Sequence, residues 1–120
     1  MVNLNLNLYK RLIRRGGVYW VTDLTNSGKK LYPCLVISND LQNNISQFIL
    51  ALPIITKDLP TVPFHTQIIF ENKPAKVIAE KLHLLDLSKL KLENYQGQID
   101  QETMEEVEKS LFLVLNIKKS

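Results

Sequence analysis

Two histidines, one cysteine and an uneven spread of charge are the parts of this 120-residue chain that could do chemistry. His65 and His83 belong to the residue type whose ordinary titration falls near neutrality, so either could move a proton. Each also stands beside apolar residues (Phe64; Leu82 and Leu84), which suits a packed or surface histidine as well. Cys34 is the single cysteine, which excludes an internal disulfide. Set between Pro33 and Leu35, it reads as a small buried hydrophobe rather than a nucleophile. No Cys/His cluster has the spacing of a structural zinc site, so neither metal nor cofactor is expected. Residues 1–30 hold Lys10, Arg11, Arg14, Arg15, Lys29 and Lys30 against Asp23 alone, while residues 93–120 hold six acidic and three basic groups. A basic first quarter suits a polyanionic partner, because clustered Lys and Arg neutralise phosphates and release counterions. It suits an ordinary solvated surface too, given a net charge of only +3.

The elements that must position these groups follow from pattern. Apolar residues make up 45% and charged residues 22%, which places the chain with globular domains and not with disordered ones. Its longest apolar runs, such as Phe48–Ile55, fall far short of the ~20 residues that span a membrane. The opening Asn3–Leu8 alternates Leu4, Leu6 and Leu8 with asparagines, unlike a secretory signal, and fits an added edge strand or a disordered tail equally. A cytoplasmic protein without membrane contact is expected. Strands are expected at Val18–Leu24, Tyr32–Ser38, Gln47–Ile55, Phe64–Phe70 and Ala75–Leu82, with turns at Thr25–Lys30 and Asn72–Lys73 and a loop over Asn39–Asn44. The unbroken Cys34–Ile37 run predicts burial on both faces. Leu85–Leu90 reads as a short helical turn. Asp100 caps a helix over Gln101–Leu115, whose Met104, Val107, Leu111 and Val114 or Leu115 form a core-facing seam. About five successive strands and one terminal helix describe a small antiparallel barrel or curled sheet, class α+β and mostly β.

Several stretches then fall into line with one family. Arg15-Gly16-Gly17-Val18-Tyr19-Trp20-Val21 resembles the opening RGDIYWV of the MazF/PemK toxins, and Pro33–Asp40 resembles their RPVLVISND after its first residue. Ala51–Lys57 is similar to VAPITSK, Pro63–Thr66 to PFPTH, Ile78–Asp86 to LLEQIRTID, and Gly97–Val107 to GRLSEELMEEVDEAL. The resemblance runs in order from Arg14 to Leu115, and implies an SH3-like barrel domain over residues 14–120 behind an extension of residues 1–13. It further implies a homodimeric toxin of a toxin–antitoxin pair that cuts single-stranded RNA without a metal, and that a cognate antitoxin covers with a flexible acidic or apolar segment. Such a reaction deprotonates a 2′-hydroxyl, stabilises a crowded phosphorane by charge and protonates a 5′-oxygen.

The same resemblance nominates Tyr32, Thr56 and Glu80 as catalytic positions and Arg14 and Arg15 as RNA contacts; by their own chemistry the loop lysines Lys29 and Lys30 and the imidazole of His83 are further candidate RNA contacts. It also marks departures. Tyr32 stands where the family has an arginine, and a phenol brings no positive charge and no bidentate fork. The loop between Leu24 and Pro33 is shorter than the family's and lacks its acidic-glutamine pair. A gapless match anchored on Pro53 places Ile55 at the family's threonine and Thr56 at its serine, so only a β-bulge near Pro53 would turn Thr56 to the threonine's face. Three readings stay open: an active endoribonuclease, a degenerate relative that binds RNA or an antitoxin-like peptide without cutting, and a dimeric interaction module.

Overall fold

The computed structural model describes residues 13–23, 30–90 and 92–118, so Asn3–Leu8 and Thr25–Lys29 lie outside the described residues. Seven strands form among the described residues: β1 (Gly17–Asp23), β2 (Lys30–Val36), β3 (Phe48–Ile55), β4 (His65–Phe70), β5 (Lys73–Ile78), β6 (His83–Asp86) and β7 (Tyr95–Gln98). All pairings are antiparallel, in the order β4-β5-β3-β2-β1-β7, with β6 also beside β3. The result is a mostly-β curled sheet carrying a C-terminal helix, as its sequence predicts. The five long apolar runs form strands within a few residues of their expected limits. The two additional strands are four residues each, too short to show an alternation; the helical turn expected at Leu85–Leu90 forms as a 3₁₀ turn over Leu87–Lys89, with Leu85 and Asp86 taken into β6.

One strand organises the rest. Ala51, Leu52 and Pro53 of β3 face Val36, Leu35 and Cys34 of β2, and Phe48–Ala51 face Asp86–His83 of β6. Ile54 and Ile55 then leave that sheet and pair with Val77 and Lys76 of β5. The change of partner coincides with Pro53, whose missing N–H cannot serve a continuous ladder. No register shift interrupts β3, so the bulge that would turn Thr56 to the other face is absent. The β4–β5 hairpin turns through Glu71 and Asn72, both at positive φ (51° and 64°), the geometry of a tight two-residue turn. That turn sits one residue earlier than the Asn72–Lys73 expected.

Alternation along β1 and β2 builds two cores. Val18 and Leu35 join Leu52, Ile54, Phe70 and Val77 under the helix, while Tyr19, Val21, Cys34 and Val36 join Ile49, Ala51 and Leu85 on the opposite face. Burial on both faces, expected of Cys34–Ile37, holds for Cys34, Leu35 and Val36, while Ile37 is partly buried. Ile13, the last residue of the expected extension, is buried in the second cluster.

Helix α1 (Asp40–Ile45) occupies the segment expected as a loop. It has no apolar stripe to announce it. Polar contacts hold it instead: the Asn39 side chain accepts from the Gln42 N–H, and the buried Asn43 amide donates to the Ser38 carbonyl while accepting from the Ser38 hydroxyl at 2.6 Å. Helix α2 (Gln101–Leu115) has its expected limits, with Asp100 accepting from the Thr103 N–H at 2.7 Å. Its buried seam is Met104, Val107, Ser110 and Leu111. Val114 and Leu115 are exposed, so the buried seam ends at Leu111 and the fourth position expected of it is not met.

Truncating the fully buried Leu52 to alanine opens a cavity where both sheets meet, and should lower unfolding free energy by about 3 kcal/mol in urea titration. Asp100→Ala removes only the helix cap and should lower it by about 1 kcal/mol.

Candidate functional site

Strand pairing brings two sequence-nominated residues together. Tyr32 of β2 packs at the margin of the second core, and His83 opens β6 opposite Ala51 of β3. Their ring centroids lie 6.1 Å apart at a 51° tilt. His83 Nδ1 meets the Lys81 carbonyl. A carbonyl only accepts, so this nitrogen is the ring's donor, and Nε2 is the nitrogen left for a ligand. Cys34 lies two residues from Tyr32 on the same strand face, where burial pushes its thiol up to about 12 and a hydrogen bond with the Tyr32 side chain pulls only partly the other way. A thiol so shielded is no nucleophile, as its sequence setting predicts.

The other nominated residues go elsewhere. Glu80 meets His65 across the corner between the two ends of the β4–β5 hairpin, with His65 Nε2 donating to both carboxylate oxygens at 2.9 and 3.0 Å. Desolvation raises the Glu80 carboxyl, but the His65 hydrogen bond and charge, aided by its own backbone amide and by Lys81, outweigh it and leave the carboxyl below its usual range. His65 Nδ1 is buried with no hydrogen-bond partner among the described residues. The sequence shows the two as separate candidates; only the hairpin register makes them a pair.

Arg14 faces Asp40 at 3.6 Å with its side chain largely in solvent. Arg15 is tied down: its guanidinium donates to the Ile37 carbonyl at 3.0 Å and pairs with Glu108 of α2 at 2.7 Å, while its backbone N–H donates to Asp40. It works as a rivet between β1, α1 and α2. Lys29 lies outside the described residues, and Lys30 is placed only as the start of β2.

Thr56 sits exposed just past β3. It opens a groove of about 890 Å³ between the 56–61 segment and the β4–β5 hairpin, which Lys57, Lys73, Lys76 and Gln67 also line. Lys76 Nζ donates to the Leu59 carbonyl there at 2.5 Å. Tyr32, His83 and Glu80 are not among the residues of this groove. Its lysines escaped sequence reading because they are scattered. The signal that finds them is register, since Lys76 pairs with Gln67 and Lys73 with Phe70.

A profile of the family described as PemK-like, MazF-like toxin of type II toxin-antitoxin system matches residues 14–115. No curated protein sequence matches the chain significantly. Among solved structures the chain is similar to a mycobacterial endoribonuclease in complex with its cognate antitoxin, at TM-score 0.77 and 23% identity over 90% of this chain and 99% of that one. It is similar also to an endoribonuclease from a mycobacterial species on its own (TM-score 0.73, 23% identity, 90% and 95% covered). A crystal structure of MazF from Deinococcus radiodurans aligns at TM-score 0.70 and 18% identity, over 88% and 97% of the two chains.

Two measurements check the local chemistry. Cys34 should resist alkylation in native protein at mildly alkaline pH and react fully once the chain is unfolded in denaturant. Because the folded carboxyl of Glu80 is lowered, its pair with His65 stabilises the fold above the ordinary carboxylate range and loses that effect as pH falls through the lowered value. Denaturation of wild type and Glu80→Gln should therefore diverge near neutrality and converge in acid.

Proposed function

Because the chain belongs to the family of PemK-like, MazF-like toxins of type II toxin–antitoxin systems, we propose that it is a metal-independent endoribonuclease that cuts single-stranded RNA. The observation that carries this reading is the family match, which spans the whole described barrel and its helix from Arg14 to Leu115. In the proposed reaction a ribose 2′-oxygen attacks the adjacent phosphorus, the bond to the 5′-oxygen breaks, and 2′,3′-cyclic phosphate and 5′-hydroxyl ends result. RNA lies over the Tyr32–His83 face, where the tyrosine ring offers a stacking surface for a base. Phosphates beyond the cut run toward the lysines of the Thr56 groove.

The working form is a cytoplasmic homodimer. At the end of α2, Leu113, Leu115 and Ile117 are 61%, 50% and 51% exposed, and a second copy would cover them. A cognate antitoxin occupies the RNA face with an acidic segment, a role supported by the antitoxin complexes among the structural relatives.

A second reading is favoured by one specific observation. The Arg15 guanidinium is bound to Glu108 and Ile37, and Tyr32 supplies no charge where the family has arginine, so the described site holds little with which to stabilise a phosphorane. In that case the protein binds RNA without cutting it.

Incubation of long single-stranded RNA with purified protein in EDTA separates the two. Cyclic-phosphate ends from the wild type are the expected outcome. Cleavage by Tyr32→Arg alone establishes the degenerate reading, as does salt-sensitive binding by both proteins without cleavage.

A further inference from the structure

We propose that His83 is the general base of this site, taking the 2′-hydroxyl proton on Nε2; the inference rests on the endoribonuclease reading above. Three observations converge on it. First, its backbone is held in place: His83 begins β6 and pairs with Ala51, a fully buried residue of the central strand. Second, its tautomer is set. Nδ1–H donates to the Lys81 carbonyl, which fixes the ring and leaves Nε2 as the acceptor, with no hydrogen-bond partner among the described residues. Third, the Tyr32 ring stands 6.1 Å away as one wall of the position that a ribose and its base would enter.

The alternatives among the described groups are engaged. His65 gives Nε2–H to Glu80, and its Nδ1 is buried. Glu80 accepts that bond on both oxygens. Cys34 is buried and held as the thiol. Thr56 opens a different groove. An imidazole with one nitrogen anchored on a carbonyl and the other unengaged among the described residues is the arrangement that proton abstraction needs.

The step balances without a metal. As the 2′-oxygen bonds to phosphorus, its proton passes to Nε2 and the electron pair of the breaking P–O bond stays on the 5′-oxygen. That oxygen takes a proton from water. The resulting hydroxide recovers the proton from the imidazolium, which restores the neutral ring.

The test uses the full chain with an RNA oligonucleotide and the same oligonucleotide carrying 2′-deoxyribose throughout. His83→Asn keeps an amide donor for the Lys81 carbonyl but has no base. It should cut about 10²-fold more slowly or worse while binding the deoxy analogue as the wild type does. His83→Ala should lose activity to the same degree and regain part of it when imidazole is added, a rescue that a purely structural role does not produce. Wild-type rates in His83→Asn overturn the inference and leave the endoribonuclease reading intact. Loss of affinity for the analogue in both variants, with no rescue by imidazole, also overturns it and makes His83 a binding residue. A wild type that cuts no RNA contradicts the endoribonuclease reading itself, and the inference falls with it.

Discussion

Everything in this fold that matters for chemistry depends on β3 serving two sheets. A strand that changes partner midway ties the two cores together, and it does so at Pro53, where no N–H exists to be orphaned. Upstream of that point β3 holds β2 on one side and β6 on the other, which sets Tyr32 and His83 beside each other. Downstream it turns to β5, which sends Thr56 into a groove shared with the hairpin lysines. The proline is a divider between two chemical neighbourhoods that lie side by side in the sequence.

Charge is distributed by the same logic. A basic amino-terminal quarter looks like a polyanion footprint, yet the described part of it is partly consumed inside the fold. Arg15 spans three elements and stands two-thirds buried in its ion pair with Glu108, which makes it a structural cation more than a free one. Surface pairs such as Arg14–Asp40 contribute little to stability and are readily exchanged for a phosphate. The Thr56 groove gathers further cations, Lys57, Lys73 and Lys76, with Lys76 braced on the Leu59 carbonyl. The Tyr32–His83 pair and the Thr56 groove thus lie on different sheets, which share β3.

Much of the fold was legible from the sequence because long strands and a capped helix announce themselves. Val18–Val21 carry enough β-branched and aromatic residues to declare a strand, Cys34–Val36 declare one by an unbroken apolar run, and Asp100 ahead of Met104, Val107 and Leu111 declares a helix. What stayed hidden depends on tertiary contact. Asn43 makes α1 through a buried exchange with Ser38, and no periodicity predicts that. β6 and β7 exist because β3 and β1 offer them edges. The site was half legible: Tyr32 and His83 were each nominated, but under different roles, and only the ladder shows that they meet. His65 with Glu80 was hidden in the same way, since residues 15 apart become neighbours only through a hairpin register.

We assign RNA chemistry to the Tyr32–His83 face and not to the groove beyond Pro53. Two-dimensional amide NMR with an uncleavable 2′-deoxy oligonucleotide addresses it directly. The strongest shifts should fall on Tyr32, Cys34, His83 and Leu84, with weaker ones at Lys57, Lys73 and Lys76. Shifts confined to residues 56–61 and 73–76, leaving Tyr32 and His83 unmoved, would contradict the account.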